Sequence, residues 1–85
     1  MIIIMEKSFQ QQIPHNHCFG CGTLNDNGLR INSYWVEGKE WQESVCEFTP
    51  QAHHNAGPQH VLNGGIISTI IDCHCVGTAF AKAFE

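Results

Sequence analysis

Eighty-five residues make at most one small domain, and a chain of this size buries only about 60–65% of the surface it exposes when unfolded. With 42% hydrophobic and 14% charged residues it is too apolar for a disordered chain, and no apolar run reads as long enough to cross a bilayer. Four Lys and Arg against eight Asp and Glu leave a net charge of −4, so neither nucleic acid nor an anionic membrane is expected as a partner.

The opening Met1-Ile2-Ile3-Ile4-Met5 is apolar but has no basic start and no small-residue cleavage site. It does not read as a secretory signal, and a cytoplasmic setting is expected. As far as Gly28 the chain reads as irregular, with Pro14, a Cys18-Phe19-Gly20-Cys21-Gly22 knot and a turn-rich Asn25-Asp26-Asn27-Gly28. Residues 1–28 are therefore set apart from a domain over 29–85. Five cysteines are an odd number, and Cys46, Cys73 and Cys75 fall in predicted strand or helix, where thiols pack as small hydrophobes. A disulfide scaffold is not expected.

From Leu29 to Val36 the sequence alternates, with Leu29, Ile31, Ser33 and Trp35 on one side and Arg30, Asn32, Tyr34 and Val36 on the other. The period of two predicts a strand. Glu37-Gly38-Lys39 then turns the chain into Trp41 to Thr49, rich in β-branched and aromatic residues and closed by Pro50, the partner of a hairpin.

A loop from Gln51 to Leu62 carries His53, His54 and His60 and ends at Asn63, a good N-cap, before Gly64-Gly65. Ile66, Ile70, Cys73, Gly77, Phe80 and Phe84 then follow at spacings of four and three, the stripe of one helix face. Ile67 and Ile71 make a second apolar face, and Gly65, Ser68, Thr69, Asp72, Val76, Ala79 and Ala83 form a third of mostly small residues around one carboxylate. Such a helix is expected to be buried on most sides.

Asp72 stands out because an acid among small residues must be paired, hydrogen-bonded or useful. At the helix start, Gly64 and Gly65 offer backbone N–H groups at the positive end of the helix dipole with no side chain in the way, which suits a developing oxyanion. Eight residues from Gly64 to Asp72 span about 12 Å of helix axis, too far for both to act on one carbonyl within a chain. A shared site therefore requires two chains, and a dimer is expected.

Cys18-Phe19-Gly20-Cys21-Gly22, Asn25, Gly28-Leu29, His54, Gly57-Pro58 and Leu62-Asn63-Gly64-Gly65-Ile66-Ile67 leading to Asp72 together resemble the PaaI-like branch of the hotdog-fold acyl-CoA thioesterases. The resemblance runs from about Cys18 to the last residue. It implies an α+β hotdog fold, a long central helix wrapped by a curved antiparallel sheet, truncated here after the helix. It also implies homodimers, or dimers of dimers, with active sites at the interface and no cofactor. By that resemblance Asp72 of one subunit is the general base or nucleophile, the Gly64 amide of the other polarises the thioester carbonyl, and Asn63 stands where the family usually has His. Gly65, His54, Asn55 and Ser68 are the expected substrate contacts of an acyl-CoA thioester. The chain stops at Glu85, so the strands that follow the helix in such a fold are expected to be missing, leaving Ile66, Ile70, Phe80 and Phe84 as an association surface.

A competing possibility is a tetrahedral zinc site from His15, His17, Cys18 and Cys21, since Cys-x-x-Cys is a ligand spacing. A single such pair is a weak pattern, His15 and His17 need not converge, and a tight glycine-containing turn with buried thiols is the favoured account, so no metal is assigned. Three functions remain: a thioesterase dependent on Asp72, a hotdog protein that binds acyl-CoA without turnover, and an inactive truncated remnant.

Overall fold

In the computed structural model, which describes residues 7–84, a hairpin and a long helix form the two layers of a slab 41 × 31 × 18 Å in extent. Strands β1 (Ser33–Trp35) and β2 (Ser44–Cys46) pair antiparallel, with Ser33 opposite Cys46, Tyr34 opposite Val45 and Trp35 opposite Ser44. Helix α1 (Gly64–Ala83) lies across the hairpin. This is a small α+β arrangement of one C-terminal helix on a two-stranded sheet. The apolar Met1–Met5 segment lies outside the described residues.

The alternation expected over 29–36 is present in burial, for Ile31, Ser33 and Trp35 are 2%, 0% and 8% exposed. The regular ladder is shorter than the pattern, because Arg30 takes a left-handed φ of 54° that breaks the extended run before β1. Trp41 likewise has φ 69° and belongs to the connecting turn, not to β2. There its ring packs 5.2 Å from Trp35, which in turn lies 4.8 Å from Phe9.

The segment before Gly28 is less irregular than its composition suggests. A 3-10 turn spans Gln10–Gln12, and Ser8, Phe9 and Gln10 are buried beneath the helix and strand. Gln10 replaces missing ladder partners with its amide. Its Oε1 accepts from Ser33 N at 2.6 Å, while its Nε2 donates to Ser33 Oγ at 3.0 Å and to the Cys73 carbonyl at 3.4 Å. Gly77 allows this approach, since a methyl there would sit 2.6 Å from Gln10 Nε2.

Helix α1 begins where the sequence places it. Asn63, with φ −62° and ψ 132°, caps it by accepting from Gly65 N at 2.7 Å. Burial on most sides is not observed, however. Cys73 and Gly77 are buried and Ile66 and Ile70 half-buried, whereas Ile67, Ile71, Val76, Phe80 and Phe84 are 43–73% exposed. The packed face turns toward His74 and Thr78, which meet the serines of the hairpin, and so Phe80 and Phe84 leave the expected stripe for the outer surface. Two strands cover only one side of a helix, which is the physical reason for the difference. By length and composition alone the 20-residue α1 would suffice to cross a bilayer, which corrects the expectation that no stretch could. Here one side of it is seated on its own hairpin through hydrogen bonds.

Candidate functional site

The helix start gathers five of the residues singled out by the sequence. Asn63 donates its backbone N–H to the His54 carbonyl at 2.8 Å and its side-chain Nδ2 to the Asn55 carbonyl at 3.4 Å. A bridge between Asn55 and Leu62 closes the loop. The His54 side chain is itself engaged, accepting from Gln51 N through Nδ1 at 2.9 Å. Asn55 Oδ1 accepts from Gly57 N at 3.2 Å and its Nδ2 donates to the Ala52 carbonyl at 2.8 Å. These loop bonds hold Asn63 in place as a cap, which takes the Gly65 N–H and leaves the Gly64 amide exposed.

Gly64 and Gly65 are exposed, and a methyl added at Gly64 would meet nothing within 4 Å. The Gly64 N–H has no acceptor among the described residues. Beside this helix end lies an open cavity of about 1020 Å³ whose walls include Ile66, His53, His54, Phe48 and Tyr34. Its size suits a small organic ligand. Arg30 and Asp26, paired with each other, stand on its rim.

Ser68 and Asp72 are not part of that cluster. Both are exposed on the outer side of α1, and Asp72 has no hydrogen-bond or ion-pair partner among the described residues. With about 12 Å of helix axis between them, the Gly64 amide and the Asp72 carboxylate of one chain face separate regions.

A second polar cluster escaped the sequence analysis. His74 Nδ1 lies 2.8 Å from Ser33 Oγ and Nε2 lies 3.4 Å from Ser44 Oγ, while Ser44 Oγ is 2.9 Å from Thr78 Oγ1. A serine beside an imidazole invites a nucleophilic role, but Ser33 is fully buried and already bonded to Gln10, so no substrate reaches it. The group ties helix to hairpin. Burial lowers the His74 pKa from its ordinary value, which favours the neutral ring, and each ring nitrogen has a serine hydroxyl within hydrogen-bond distance. Helical spacing with Thr78, together with two strand serines on the inward side, was the available sequence signal.

The thiols also regroup. Neither His15 nor His17 joins Cys18 and Cys21. The third partner is Cys73 of α1, and the three Sγ atoms lie within 4.8 Å of one another. The residues able to hold a metal are thus three thiols, not two thiols and two imidazoles. Buried Asn16 shapes their turn, accepting from Cys18 N at 3.1 Å and donating to the Cys21 carbonyl at 3.2 Å. The Cys21 backbone N–H holds the Cys18 thiol below its ordinary pKa, against the opposing effect of burial. Burial pushes Cys21 and Cys73 up, and for Cys73 the neighbouring Cys18 adds to the rise. All five thiols are free, but Cys75, expected to pack inward, is exposed.

Compared with known protein families, with curated proteins and with solved structures, the chain finds no match.

Proposed function

We propose that the chain acts as a hotdog-type acyl-CoA thioesterase, whose site forms where two chains meet. The observation that carries the proposal is the helix start. Asn63, fixed by His54 and Asn55, leaves the Gly64 amide without an acceptor and without a side chain to shield it, two residues before Ile66, which lines a cavity of about 1020 Å³ together with His54. An oxyanion developing on a thioester carbonyl would take that N–H and the positive end of the helix dipole.

In this mechanism the partner subunit supplies the carboxylate. Asp72 is exposed and unpartnered on a helix side that also bears Ser68, Ala79 and the uncovered Val76, mostly small residues that leave room for a second chain to approach. Its carboxylate removes a proton from the water that attacks the carbonyl, or attacks the carbonyl itself to form an anhydride that water then cleaves; by either route the C–S bond breaks, coenzyme A leaves as the thiol and the free acid is released. Asn63 orients the helix end but has no proton to transfer, unlike a histidine. His54, Asn55, Gly65 and Ser68 then contact the substrate around the two helix ends.

The test is a hydrolysis screen of acyl-CoA thioesters with two variants. Gly64→Pro deletes the amide at the first helical position, where proline is tolerated, and Asn63 before it already has the extended ψ of 132° that proline requires. Asp72→Asn deletes the base. Each is expected to lower kcat about 10²–10³-fold. Mixed in equal amounts, the two inactive variants are expected to regain about a quarter of wild-type activity, because half the dimers carry one intact shared site. Unchanged activity in Asp72→Asn, or acyl-CoA binding with no turnover by the wild type, would refute the proposal and favour a binding protein.

A further inference from the structure

Three thiols from two distant parts of the chain converge where the Cys18–Cys21 turn meets α1. Cys18 Sγ and Cys73 Sγ are 3.7 Å apart across 55 residues of sequence. Sulfurs bound at about 2.3 Å to tetrahedral zinc stand about 3.8 Å from one another, so the widest separation here, within 4.8 Å, needs to close by only about 1 Å. A disulfide at about 2.05 Å would instead draw two sulfurs together and leave out the third.

The surroundings are built for this convergence. A methyl at Gly20 would overlap the Cys73 thiol, so the glycine between the two turn cysteines is what admits the third. Asn16, 8% exposed, has its Nδ2 3.7 Å from Cys21 Sγ, an outer-shell donor to a ligand sulfur. A cavity of about 170 Å³ adjoins all three thiols and has room for a water at a fourth position; Asp72 also stands on its wall but is not among the ligand atoms that converge.

We propose that Cys18, Cys21 and Cys73 bind one zinc ion that staples the N-terminal turn to α1, with a water in the fourth position. Binding converts three thiols and Zn²⁺ into a zinc tris-thiolate and releases three protons to solvent, with no change of oxidation state. Thiolate ligands select zinc over magnesium or calcium. A domain whose buried hydrophobic residues are only Phe9, Ile31, Trp35 and Cys73 among those described has much to gain from such a cross-link.

The experiment is anaerobic titration of the reduced full chain with Co²⁺, followed by displacement with Zn²⁺. One equivalent of cobalt is expected to produce thiolate-to-cobalt charge-transfer bands and the visible bands of a tetrahedral ion, both abolished by zinc. Alkylation of the zinc-loaded chain, mapped by mass spectrometry, is expected to spare Cys18, Cys21 and Cys73 and to modify Cys46 and Cys75. Cys73→Ser should weaken cobalt binding by more than the roughly 10–100-fold that loss of an outer-shell partner causes, while Cys75→Ser leaves it unchanged. Absence of charge-transfer bands from the wild type would overturn the proposal, as would protection of a different set of thiols. Cys73→Ser binding cobalt as tightly as the wild type would also overturn it.

Discussion

Gly20→Ala tests the junction on which both the packing and the thiol cluster depend. The added methyl would overlap the Cys73 thiol and lie 2.7 Å from Thr69 Cγ2, where an ordinary carbon contact is about 3.5–4.0 Å. Relief requires the turn to withdraw from α1 by about 1 Å. It is not free to do so, because the carbonyls of Phe19 and Gly20 accept from Leu29 N and Ile31 N at 2.8 and 3.0 Å, and Thr69 is itself bonded to the Gly65 carbonyl at 2.8 Å. Overpacking of this kind costs about 1–3 kcal/mol. Against it, alanine restricts the unfolded chain and contributes about 0.4–1 kcal/mol of stability. The first effect wins, and a net loss of about 1–2 kcal/mol is expected. Urea unfolding of the metal-free chain measures it, as a midpoint lower by about 1–2 M at a slope near 1 kcal/mol/M. A midpoint equal to or above that of the wild type, with the slope unchanged, would show that the turn and α1 do not meet at Gly20.

Two further outcomes follow from the cap and from the half-buried imidazole. Asn63→Ala removes the acceptor of Gly65 N and is expected to cost about 1 kcal/mol, while Asn63→Asp keeps the cap and recovers most of it; equal urea midpoints for all three proteins would refute the capping role. Because burial lowers the His74 pKa in the fold, the unfolded chain binds the proton more readily, so this contribution to stability is complete above about pH 6.5 and is lost as the pH falls below it. Urea midpoints at pH 7.5 and 5.5 are expected to differ more for the wild type than for His74→Asn, and identical differences would sink that assignment.

Most of what the residues reveal alone is local. The N-cap at Asn63, the start of α1 at Gly64 and the two-sided alternation through β1 are all correctly placed, because capping chemistry and side-chain periodicity act within a few residues. His54 and Asn55 were named only through the family resemblance, and their bonds to Asn63 come from the loop that closes between Asn55 and Leu62. Strand lengths were overestimated where left-handed backbone at Arg30 and Trp41 interrupts patterns that look continuous in composition.

The remainder depended on which side of α1 meets the hairpin, and no spacing rule decides that when the helix is apolar or small nearly all round. Once Ser33 and Ser44 face it, His74 and Thr78 turn inward to complete their hydrogen bonds, and Ile67, Ile71 and Phe80 are left outside. The same rotation carries Cys73 to the Cys18–Cys21 turn, making a three-thiol cluster from a pair that the sequence offers with the wrong companions, His15 and His17. Local chemistry was written in neighbouring residues, whereas the thiol cluster and the buried polar group are products of contacts some 30 to 55 residues apart, which only the packed chain brings together.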